Sequence, residues 1–170
     1  MRIYILVLIV IIFGVLGFEI KRKYVEQKQI LLFLKTFIEY LKLNITLYKS
    51  DISEIINNYI IMQNNKNAKY VNLFLKNNNL TQINIKNIRN NVLCKDLKFI
   101  IESYFLNLGK ENIDGENKKA ELVINILNEK INKSNEEIKL KGDLSFKIIL
   151  SLGIVLVIIL WWMYEYFNSF

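Results

Sequence analysis

Carboxylates and lysines would have to carry any chemistry in this sequence, because its 170 residues contain no His and one Cys. Without imidazole, the commonest general base and metal ligand is missing. The lone Cys94 can neither close an internal disulfide nor build a zinc site. Asp and Glu are scattered rather than gathered, so no catalytic residue, cofactor or metal is expected, and the chain is read as a non-enzyme. The most pointed polar stretch is Leu108-Gly109-Lys110-Glu111-Asn112-Ile113-Asp114-Gly115-Glu116. It reads as a turn between two helices, with Gly109 able to end the first and an acidic first turn opening the second. Gly109, Asp114, Gly115 and Glu116 are therefore either local caps or a partner contact. Tyr48 is likewise either a packed ring or a contact.

These residues must be positioned by long helices, since the chain has no Pro and six Gly. Two stretches lack charge. Ile148 to Tyr164 approaches the roughly 20 apolar residues that cross a hydrocarbon core. It is bounded by Lys147 on one side and by the amphipathic rings of Trp161 and Trp162 on the other. Ile3 to Phe18 precedes Glu19, Lys21, Arg22 and Lys23. No small-x-small cleavage site follows it, and the dense positive cluster lies on its far side, so it reads as a retained membrane helix rather than a signal peptide. Gly14 and Gly17 lie on nearly one face and could admit a second helix. Basic residues beside a span are retained in the cytoplasm. Lys21 to Lys23 after the first run, and Lys139, Lys141 and Lys147 before the second, put both termini outside and the middle inside.

Between the runs, apolar residues recur at steps of three and four. Ile30, Leu34, Phe37, Leu41, Ile45 and Tyr48 mark a helix that leaves the membrane without a break. Ser50-Asp51 caps a second helix carrying Ile52, Ile55, Ile56, Tyr59 and Ile60. Ala68 to Lys76 is a further apolar segment, and Thr81 to Lys86 alternates as a short strand would, without a partner strand. A helix beginning near Lys86 or Asn91 carries Leu93, Leu97, Ile100, Tyr104 and Leu108. The last soluble helix starts near Asp114 and carries Ala120, Ile124, Leu127, Ile131 and Ile138, with Ser134 in its stripe. Gly142-Asp143 marks a hinge or a run-on into the second span.

The fold class is thus all-α: a membrane protein with an N-terminal and a C-terminal transmembrane helix flanking a cytoplasmic helical bundle. The expected divisions are 1–19 and 144–166 in the membrane, 20–143 as the bundle and 167–170 as a short tail. The net charge of +7 lies almost wholly between the runs, with Lys interleaved among Glu, which is a solvated helix face and excludes a nucleic-acid role. Neither run holds an ionisable residue, which argues against conduction by a monomer. A generic membrane-anchored scaffold for cell division or envelope stress would share the anchors and long helices.

Three stretches narrow this. Gly17-Phe18-Glu19 with Tyr24, Tyr48-Lys49-Ser50-Asp51-Ile52, and Leu108 to Glu116 followed by Leu152-Gly153 together resemble the stage III sporulation protein AB family, in the same order and over the same length. Asn112 stands where the family usually has Asp, Glu116 where it has Gln, and Ser50-Asp51 where it has Pro nearby. The resemblance implies a membrane platform component of the secretion-like complex joining mother cell and forespore. That family's soluble part is similar to the inner-membrane platform proteins of type II secretion and type IV pilus systems. By that analogy the partners are other stage III sporulation A operon proteins, with the cytoplasmic ATPase AA a candidate among them. The location implied is the mother-cell membrane around the forespore.

Overall fold

With no Pro and few Gly to interrupt it, the first helix runs unbroken: α1 spans Arg2–Tyr48. It is followed by α2 (Ile52–Gln63), α3 (Lys95–Leu106), α4 (Ile113–Glu137), a π-helical turn (Ile138–Asp143) and α5 (Leu144–Asn168). The computed structural model describes residues 2–48, 51–63 and 95–168, and these are helical apart from Asp51 and the turn at 107–112, with no strand among them. The expected segment Ala68 to Lys76, the strand at Thr81 to Lys86, Leu93 and Cys94 lie outside the described residues. The chain divides into two units, Met1–Lys28 with Lys133–Phe170, and Gln29–Asn132.

In the first unit the two apolar runs lie against each other antiparallel. A Cβ added at Gly17 would sit 3.3 Å from the Phe146 backbone, and one at Gly153 would sit 2.8 Å from Phe13 Cβ. Gly14 faces Leu150 in the same register. The helix admitted by Gly14 and Gly17 is therefore α5 of the same chain, and the close approach adds dispersion contacts where a hydrophobic drive is absent. Outward side chains such as Leu8, Ile12, Leu152 and Ile158 are exposed. Among the described residues, two helices are long and apolar enough to cross a membrane, with windows of mean hydropathy 2.4 and 2.5. Each window is only 6% buried, unlike the core helix of a soluble protein.

Among the described residues, four helices contribute to the core of the second unit. Phe37, Ile38 and Leu41 of α1 meet Ile55 and Tyr59 of α2, Ile101 and Phe105 of α3, and Leu127 of α4. Phe37 lies 4.8 Å from Tyr59 and 5.8 Å from Phe105, centroid to centroid, spacings at which aromatic pairs attract beyond their buried area. Ile30, Leu34, Phe37 and Leu41 are buried as their spacing predicts, and Leu31, Phe33 and Ile38 widen that stripe. On the outside, Lys42 donates to Glu121 at 2.7 Å and Thr46 to Asn117 at 2.6 Å, fixing the rotation of α1 against α4. Lys42 holds the exposed Glu121 carboxyl below its ordinary range by that hydrogen bond.

Candidate functional site

The polar turn between α3 and α4 is built from backbone demands. α3 ends at Leu106, and the chain reverses through a turn closed by the Lys110 N–H on the Asn107 carbonyl at 3.3 Å. Gly109 within it has φ +82, in the left-handed region that only glycine enters freely. Asn112 is the N-cap of α4, its Oδ1 accepting the Gly115 N–H at 2.9 Å. That cap explains why Asn serves here as well as Asp.

Glu116, at the start of α4, is buried at 5% exposure. Its Oε1 accepts the N–H groups of Gly109 and Glu111, both at 3.1 Å, so one carboxylate oxygen satisfies two loop donors. Its Oε2 is buried with no hydrogen-bond partner. The Glu116 charge, after burial itself, helps push the Tyr104 phenol upward. Glu111 is paired with Lys119 at 2.8 Å. Beside the turn lies a cleft of about 310 Å³ whose walls include Ile45, Asp51, Ile52, Glu111 and Glu116. Asp51 accepts from the Ser53 hydroxyl at 2.8 Å at the start of α2.

Of the residues singled out in the sequence, Gly109 and Glu116 meet in one hydrogen bond, Gly115 joins Asn112, and Asp114 is exposed. Tyr48 is the last residue of α1, and its side chain lies outside the described residues. The cleft residues Ile45, Asp51 and Ile52 were not legible as part of this site, because they approach it across more than fifty residues of chain. No group of three or more His, Cys, Asp or Glu side chains able to hold a metal occurs among the described residues.

At the other end of interest, Lys21 bridges α1 to Asp143 at 2.8 Å. This hydrogen bond holds the Asp143 carboxyl below its ordinary range. Arg22 pairs with Glu19 at 3.0 Å, and Lys141 with Glu137 at 3.0 Å. Lys23 and Lys147 are exposed, as are Trp161 and Trp162 beyond the apolar run. Gly142 is buried against Lys21 and Tyr24. The chain therefore passes from α4 to α5 as a run-on, widened by the π-helical turn. The role of Asp143 as Lys21's partner was missed in the sequence, although the antiparallel register of the two runs would have found it.

No curated protein and no solved structure matches the chain. The family model described as Stage III sporulation protein AB matches residues 2–161, from the first apolar run through the four-helix core to the tryptophans of α5. By that match over nearly its whole length, the chain belongs to the stage III sporulation protein AB family.

Proposed function

We propose that this sporulation protein is a non-enzymatic membrane platform of the secretion-like complex between mother cell and forespore. Two exposed apolar helices, with basic residues gathered at the end where they join the soluble helices, support this reading most. By the cation rule the bundle lies on the cytoplasmic side, where it would meet other products of the stage III sporulation A operon, the ATPase AA among them. The partner surface is the polar turn at the exposed Asp114 with the adjacent cleft, shaped from within by Gly109, Gly115 and the buried Glu116.

The topology is tested by cysteine labelling on a Cys94→Ser background in growing cells. Asn125→Cys in the bundle is expected to resist an impermeant maleimide in intact cells, and Ser169→Cys in the tail after the second span to react with it. The reverse pattern would overturn the platform, since its contacts need a cytoplasmic bundle. Loss of co-purified operon proteins on Asp114→Arg, with the helical signal unchanged, would assign the partner surface. Retention would remove that assignment.

A further inference from the structure

We propose that the end of the helix pair nearest the π-helical turn is a binding surface for anionic phospholipid headgroups. The inference rests on the membrane reading above and adds the chemistry of the lipid. Two independent features carry it.

The first is a set of apolar side chains on the wrong side of the last charges. Leu140 is 69% exposed and Leu144 56%, and with Ile148 they recur at steps of four, so they share one helix face. This face continues the lipid-facing stripe of α5 past Lys147 and into the charged segment. Exposed leucines among lysines are what an interfacial helix presents, apolar groups reaching toward the acyl boundary and ammonium groups rising to the phosphates.

The second is the pairing pattern of the cations. Lys21, Arg22 and Lys141 are each matched by a carboxylate, Asp143, Glu19 and Glu137. Lys23 and Lys139 are exposed and form no ion pair among the described residues. Lys147 is exposed and lies near Asp143, whose carboxylate is already hydrogen-bonded to Lys21. Glu26 and Glu136 belong to the same end and moderate its charge without matching these three lysines. Because Gly17 faces Phe146 and Lys21 faces Asp143, the register gathers Lys23, Lys139 and Lys147 at one end of the pair. Basic residues beside an anionic leaflet attract its headgroups, and three acting together enrich such lipids several-fold.

The test uses the full-length protein in mixed micelles holding equal phosphatidylglycerol and phosphatidylcholine, with retained lipid counted by mass spectrometry. The wild type is expected to retain phosphatidylglycerol several-fold over phosphatidylcholine. Lys23→Gln, Lys139→Gln and Lys147→Gln combined should bring the ratio close to one, while the triple Lys→Arg variant keeps it. Lys110→Gln, Lys118→Gln and Lys130→Gln combined, in the soluble helices, should leave it unchanged. No preference in the wild type, or equal loss in the Gln variants of both sets, would overturn the proposal. Alkaline carbonate extraction separates the two readings. Protein released into the supernatant ends the membrane reading itself, whereas protein retained in the pellet without lipid preference ends only this inference.

Discussion

Glu116 does at residue scale what its neighbours cannot. The φ of Gly109 turns two backbone N–H groups toward one point, and Oε1 of Glu116 occupies it. Removing that acceptor leaves two part-buried donors without their partner, a loss of about 1 kcal/mol. Glu116→Ala is therefore expected to lower the unfolding free energy of the soluble helices, read from urea titration, by that much, and Glu116→Gln, which keeps one oxygen, by less than half as much. Equal losses in the two variants would show that size, not acceptance, is what matters. Tyr59 gives a second expectation. Burial, with the Tyr40 charge adding, pushes its phenol up to about 12, and burial raises Tyr104 as well. A raised folded pKa means stability fully present below about pH 10, where the unfolded phenol titrates, and lost as pH climbs through 12. The loss from Tyr59 alone is at most about 3 kcal/mol. Urea unfolding at pH 9 and pH 11 checks it, with Tyr59→Phe expected to flatten the difference. Both residues could be picked out in the sequence, Glu116 as a first-turn acid and Tyr59 as a member of an apolar stripe. Their partners could not, because Glu116's donors depend on a backbone angle and Tyr59's neighbours come from α1.

The spacing of apolar residues fixed the helices well as elements. The stripe from Ile30 to Leu41 and the start of α2 after Asp51 follow from periodicity and from the missing prolines, whereas the sequence leaves a hinge or a run-on open at Gly142-Asp143 and the chain takes the run-on. What periodicity could not supply was width and phase. Leu31, Phe33, Ile101 and Val123 are also buried, since a helix surrounded by three others buries more than one stripe. The π-helical turn at Ile138–Asp143 has no local residue code, as such turns arise where packing on both sides demands an extra residue. The glycine contacts between α1 and α5 yield a sharper expectation. With Gly14→Cys and Leu150→Cys on a Cys94→Ser background, a short bifunctional reagent should link the two helices. Adding Gly153→Leu, which forces a side chain into Phe13, should cut the yield several-fold. An undiminished yield would mean that the helices do not meet at that face.

For the whole molecule, the family match and the two apolar helices give a membrane-associated sporulation protein. The antiparallel register carries one more consequence. Because Gly17 faces Phe146 and Phe13 faces Gly153, the charge-free stretch from Ile3 to Phe18 sets the thickness that both helices share, about 24 Å at 1.5 Å per residue. An ordinary hydrocarbon core is about 30 Å. Spanning a membrane, the pair would be a hydrophobic mismatch to it, and the bilayer would pinch locally around it or the flanking lysines would stretch outward. The protein should accordingly melt at a higher temperature in vesicles of 14-carbon than of 18-carbon acyl chains. Several copies gathered in one assembly would share a single thinned patch of lipid, so the membrane itself would favour their clustering.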